Sequence, residues 1–255
     1  MNSFLVGSIV FACTFGGAML GMWLHSALPK HHIDSDSKDT VKVGIGLIAT
    51  MTALVLGLVT ASAKGTFDSV DKAVKQTSIE ILALDRALAR YGPETAEIRA
   101  MLKDVIGTRI DKIWPEESSK PAELDPMASV AGTKAEGIAD SISRLKPQTE
   151  YQRSLQARAS ALVESLLQSR WIVHAGSSSS IPAPFLGVLL FWLTIIFTSF
   201  GMFAPAHHTV RIVLLVCALS VSSAVFLVLE MDTPFEGALK VSSAPLRYAH
   251  AHLNQ

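Results

Sequence analysis

The chain has 255 residues, 49% of them hydrophobic and 17% charged, with a mean hydropathy of +0.37, a balance too apolar for an ordinary soluble domain of this length. Lys plus Arg and Asp plus Glu are both 22, so the formal net charge is zero and no global field draws nucleic acid as a partner. The two cysteines, Cys13 and Cys217, fall inside apolar runs as small hydrophobes and imply neither a disulfide framework nor a thiolate metal site.

A membrane-crossing helix needs about 20 mostly apolar residues, because lipid offers no water to backbone groups and a helix satisfies them internally. Residues 4–24, 43–63, 185–204 and 212–229 meet that need without one Asp, Glu, Lys or Arg. The first of them lacks the basic start of a secretory signal and is long enough to span. The lipid bilayer is therefore the first expected partner. Cytoplasmic flanks carry an excess of Lys and Arg. With both termini inside, the inner flanks hold Lys64, Lys72, Lys75, Arg170, Lys240 and Arg247, and the outer loops hold Lys30, Lys38, Lys42 and Arg211. The termini and the long middle segment are thus expected in the cytoplasm.

After the first span comes a polar stretch with His25, His31, His32, Asp34, Asp36 and Asp39; the loop before the fourth span adds His207 and His208. All fall at the outer face in this topology. Imidazole titrates near neutral pH and ligates transition metals, so a pH sensor or a cation at a pore mouth is one reading. Solvated residues at a headgroup boundary are the other. In a ring of subunits the carboxylates would also form a ring of negative charge. Whether any metal binds is left open by the sequence.

The second span carries Gly46, Thr50, Ala53, Gly57, Thr60 and Lys64 at alternating spacings of four and three, which puts them on one helical stripe. Leu47, Met51, Leu54 and Leu58 form a bulky stripe beside it. A small, partly hydroxylated seam serves close helix packing, for which Gly17 and Gly21 of the first span offer a matching groove, or it lines a narrow pore. Val70, Val74, Thr77, Ile81, Leu84, Leu88 and Tyr91 continue the same alternation as a heptad. The span is therefore expected to run on as a long helix, broken or kinked at Gly65, and to stop at Gly92-Pro93.

A second amphipathic helix with Ile98, Leu102, Val105, Ile110 and Ile113 is expected to stop at Trp114-Pro115. A Pro-, Glu- and Ser-rich loop over 115–126 follows. Ala131, Ile138, Ile142 and Leu145 mark a third helix. Tyr151, Leu155, Leu162, Leu166 and Val173 mark a fourth, starting near Pro147 and ending in Arg170, Trp171 and His174 at a headgroup boundary. A linker at 177–180 leads to the third span. Lys64 closes the second span and Glu230 the fourth at similar depth, so they form an inner-face ion pair or snorkel separately to water. Residues 235–253, with Leu239, Leu246 and Leu253 among cations, read as an interfacial or bundle-docking tail.

The fold class is thus an all-α integral membrane protein: four transmembrane helices with an inserted cytoplasmic helical bundle. Its expected parts are spans one and two (1–64), the helical domain (65–180), spans three and four (181–231) and the amphipathic tail (232–255). No nucleophile elbow, phosphate loop, zinc spacing or catalytic carboxylate pair occurs, so no enzyme and no cofactor is expected. Uncharged spans also lack the intramembrane charge of an ion-coupled transporter and the arginines of a voltage sensor. Passive conduction is left, beside a non-conducting scaffold or signalling role for the 70–91 heptad.

Particular strings carry a resemblance. GIGLIATMTALVLGLVTASAKGTFD at 44–68, LDRALARYGPE at 84–94, IWP at 113–115, LEMDTPFEG at 229–237 and SSAPLR at 242–247 resemble the bacterial bestrophin-like family over nearly the whole chain. The resemblance implies a channel plan: four spans per subunit, cytoplasmic termini, a homo-oligomer, pentameric by analogy, and a long second helix around a path for inorganic ions in a bacterial inner membrane. Two motifs depart from that plan. The calcium-binding acidic run after the last span of bestrophins is reduced here to Asp232-Thr233-Pro234-Phe235-Glu236, too few carboxylates for a hard cation. The aromatic pore constriction has no counterpart, which leaves Ile45, Leu56, Val59 or the threonine seam as narrowing residues.

Overall fold

The structure is a computed structural model that describes residues 3–27, 35–115, 130–175, 181–205, 207–235 and 237–255; for 35–40, 130–135, 169–175 and 183 it describes the backbone alone. The regular elements are α1 (Ser3–Ala27), α2 (Ser35–Tyr91), a 3-10 turn (Pro93–Thr95), α3 (Ala96–Ile113), α4 (Val130–Ser143), α5 (Glu150–Ala175), α6 (Ala183–Phe203), α7 (His208–Asp232) and α8 (Ala244–Ala251). No strand occurs among the described residues. Four helices, α1, α2, α6 and α7, are long and apolar enough to cross a membrane, so the chain is a multi-pass, all-helical membrane protein.

The chain divides into two compact units, residues 1–66 with 179–238 and residues 67–178 with 239–255. In the first unit α1 and α6 run parallel, since Gly17 faces Thr194 while Gly21 faces Thr198 and Met202. The approach is backbone to backbone: a Cβ at Gly21 would collide with the Thr198 carbonyl, and one at Gly201 with the Ala18 carbonyl. Small residues permit this contact, which supplies dispersion where lipid supplies no hydrophobic drive. α7 runs antiparallel to α1. Its Ser222 hydroxyl donates to the Gly7 carbonyl at 2.6 Å, while Leu214 and Ala218 pack with Met22 and Ala18. A second cluster joins Val10, Ala63, Ile181, Leu189, Leu193 and Val225 near the other end. With α1 and α6 parallel, the chain between them must cross back once, and α2 is the helix that does so.

α2 is unbroken over 57 residues, so the expected break at Gly65 does not occur. Gly65 is exposed, and a Cβ there would meet nothing within 4 Å, so neither packing nor backbone demands a kink. The helix ends where the Gly92-Pro93 signal put it. Gly92 has φ 143°, and the Thr95 hydroxyl turns back to the Leu88 carbonyl at 2.6 Å, satisfying an orphan acceptor of the last turn.

In the second unit the heptad residues Val70, Val74, Thr77, Ile81, Leu84, Leu88 and Tyr91 are all buried, together with Ile98, Leu102, Val105 and Ile110 of α3, Ile138 and Ile142 of α4 and Leu155 and Val163 of α5. α5 starts at Glu150, three residues past Pro147, because the Thr149 hydroxyl accepts the Gln152 amide at 3.1 Å as an N-cap. The Gln156 side-chain amide donates to the carbonyls of Ile142 and Leu145, closing the end of α4. The tail docks in this bundle: Leu246 and Leu253 are buried, the Trp114 indole donates to the Val241 carbonyl at 2.8 Å, and Lys103 donates to the Leu253 carbonyl at 3.3 Å. Leu239, at 39% exposed, does not take part in that burial. Most of the 115–126 loop and the 177–180 linker lie outside the described residues, as do the side chains of Arg170, Trp171 and His174.

Candidate functional site

Every spanning helix must bury one face in its own subunit or leave it for lipid, water or another chain. In the most apolar stretches of α1, α6 and α7, 28–33% of residues are buried; in that of α2 the share is 6%. The face α2 does give to its own subunit is Thr52, Leu56, Val59 and Ala63, the last three packed with Val10, Ile181 and Leu189. Leu56 and Val59 are thus engaged in subunit packing, which corrects their place among the narrowing residues.

Two seams remain outward. On the small one, Gly46, Thr50, Ala53, Gly57 and Lys64 are exposed and Thr60 is half-buried. On the bulky one, Leu47 is 65%, Leu54 69% and Leu58 66% exposed. A Cβ added at Gly46 or Gly57 would meet nothing within 4 Å. The groove of α1 that could have received the small seam is occupied by α6, so the seam is not buried in that groove. Its hydroxyls are satisfied within the helix: Thr50 donates to the Gly46 carbonyl at 2.8 Å and Thr60 to the Leu56 carbonyl at 2.7 Å. Each threonine oxygen still presents lone pairs outward, so the seam tolerates either water or a close helix.

At one end of the spans, Glu230 is 4% exposed and accepts the Ala238 amide, with Gly237 at φ 80° bringing the loop over the carboxylate; Lys64 is exposed. Asp232, 1% exposed, accepts the Ile181 amide at 3.4 Å and ties the entry of α6 to the exit of α7. These loop contacts were missed in the sequence, where the signal was the glycine of LEMDTPFEG. At the opposite end His207 and His208 are exposed at the start of α7. His31, His32 and Asp34 lie outside the described residues, and Asp36 and Asp39 stand in the first turns of α2 with backbone alone described. No group of three His, Cys, Asp or Glu that could hold a metal occurs among the described residues.

The second unit sorts the charges of α2. Its Asp85 is 3% exposed and paired in two parallel bonds with Arg99, 2.8 and 2.9 Å, and that hydrogen bonding holds the guanidinium above its ordinary pKa. Glu80, 9% exposed, accepts from Gln76 and Ser165. Lys72, Lys75, Arg86 and Arg90 are exposed, at spacings of three, eleven and four that keep them on one face. The buried heptad, in turn, is spent on its own bundle, which removes the surface on which a partner-binding role for 70–91 was based.

A family profile described as the bestrophin-like domain matches residues 12–246. Among solved structures, variants of a bacterial bestrophin homologue from Klebsiella pneumoniae share the fold. One has a TM-score of 0.71 at 12% identity and covers 95% of this chain and 96% of its own; another has 0.70 at 12%, covering 98% and 96%. A third has 0.66 at 13%, covering 98% and 97%. No curated protein sequence matches significantly. The profile spans most of the chain and the likeness of fold spans nearly all of it, so the chain belongs to the bestrophin-like family.

Proposed function

We propose that this protein is a homo-oligomeric ion channel that conducts passively through a path lined by α2, in a bacterial inner membrane with both termini and the helical unit in the cytoplasm. The observation that carries the reading is the outward exposure of α2: the most apolar stretch of a spanning helix is 6% buried in its own subunit while the other three reach 28–33%. A seam of glycine, alanine and threonine gains nothing from lipid, whereas around an axis it sets a narrow wall of small side chains and hydroxyl oxygens. Copies of α2 ringed in this way supply the wall, and the bulky seam of Leu47, Leu54 and Leu58 supplies packing area between neighbours. Family membership supports the same reading, because bestrophins are channels. The spans hold no charge for coupling to a second ion, so conduction is downhill.

The test is current through planar bilayers containing the purified protein. Gly57→Trp or Thr50→Trp should change unitary conductance while leaving the subunit fold intact, since a Cβ at Gly57 meets nothing within 4 Å and Thr50 is exposed. Silent bilayers from well-folded oligomers would overturn the channel.

A further inference from the structure

Between residues 67 and 91 α2 carries four acids, Asp68, Asp71, Glu80 and Asp85, and four cations, Lys72, Lys75, Arg86 and Arg90, so this stretch is neutral by sequence. The fold separates the two signs. All four cations are exposed and none of the acids is: Glu80 and Asp85 are buried, Asp68 and Asp71 half-buried. Asp85 is spent inward on Arg99, and Glu80 on Gln76 and Ser165, while Asp71 is bridged to Lys75 at 2.7 Å. The other exposed residues of the stretch, Ser69, Gln76, Ile79 and Ala89, bring no negative charge. The outward side of α2 is therefore a row of one sign from Lys72 to Arg90, about 27 Å of helix. A row of that length converges on no single point, so it does not hold one anion tightly. Repeated along a wall it sets a positive potential, which draws anions in and still lets them leave, as conduction requires. The stretch ahead of the span has no such bias by sequence, since residues 30–42 hold three aspartates and three lysines.

On the reading that α2 lines a conducting path, we propose that the permeating ions are small inorganic anions and that Lys72, Arg86 and Arg90 select them. The three act through their summed field, because each is exposed and is screened on its own. Lys75 contributes less, its charge being offset by Asp71.

Wild-type protein in planar bilayers, with unequal KCl on the two sides, reads the selectivity directly. The reversal potential should take the sign of the chloride equilibrium potential. Lys72→Gln, Arg86→Gln and Arg90→Gln together remove charge at exposed positions, so the fold is kept and the chloride-to-potassium permeability ratio should fall towards unity. Arg158→Gln, exposed on α5, should leave that ratio at its wild-type value. Currents that reverse near the potassium equilibrium potential would overturn anion selection and leave conduction standing. So would a triple variant that keeps the wild-type ratio, or an equal fall in Arg158→Gln. Polyglutamate bound by the wild type and not by the triple variant, with currents that show no chloride preference, would make the row a docking surface for an acidic protein instead. Silent bilayers from well-folded oligomers would remove conduction, and anion selection with it.

Discussion

Gly21 and Gly201 let α1 and α6 touch through their backbones, and a single methyl at either would meet a carbonyl oxygen of the other helix. Gly21→Ala should therefore lower stability by about 1–3 kcal/mol, the usual range for overpacking, read as a fall in the thermal midpoint of the protein in detergent. Gly57→Ala is the matched control: with open space around its Cβ it should leave that midpoint unmoved. Asp85 presents a different kind of dependence. Its carboxylate is buried at 3% and takes two bonds from Arg99, whose side chain is 18% exposed, so Asp85→Ala would leave a largely buried guanidinium without its counter-charge. Breaking one half of such a pair costs about 3–5 kcal/mol, and chemical denaturation should show that loss. Both residues stood in plain view in the sequence, but nothing there said that Asp85 would meet Arg99 rather than water. That pairing depends on how α3 folds back on α2.

At the scale of elements, α2 does two jobs with one periodicity. From 70 to 91 its apolar seam is consumed by the helical bundle, and its cations are left outside. Lys75 is bridged to Asp71 at 2.7 Å, whereas Lys72, Arg86 and Arg90 have no partner among the described residues. In a ring of subunits that exposed face would hold anions near the path. Arg86→Glu combined with Arg90→Glu should therefore shift the reversal potential under a salt gradient toward cation permeability, and the shift should shrink at high ionic strength as screening shortens. The tail is a second element whose role only contacts reveal. Leu253 is 1% exposed, so Leu253→Ala should cost about 2–5 kcal/mol of stability in the helical unit, visible as earlier proteolysis of 239–255. Composition alone left this segment divided between membrane surface and bundle, because Leu among cations suits either.

For the whole molecule, the parallel pairing of α1 with α6 and the antiparallel pairing with α7 put the start of α6 and the end of α7 on the side of the membrane where α1 begins. An impermeant thiol reagent on intact cells should label His208→Cys, and should reach Lys72→Cys or Lys240→Cys only after the cells are opened. That outcome is what the Lys and Arg bias predicts for cytoplasmic termini.

Hydrophobicity decides which segments enter lipid, and it does so residue by residue. Four uncharged stretches, the Gly92-Pro93 stop and the 70–91 heptad were therefore legible in the chain, and the strings around them carried the family. Which helix fills the Gly17 and Gly21 groove was not legible, because in lipid any small seam fits another and only shape chooses between them. The tertiary structure gives that groove to α6. α2 is thereby left almost unburied across the membrane, and the candidate path follows from that exclusion rather than from any motif.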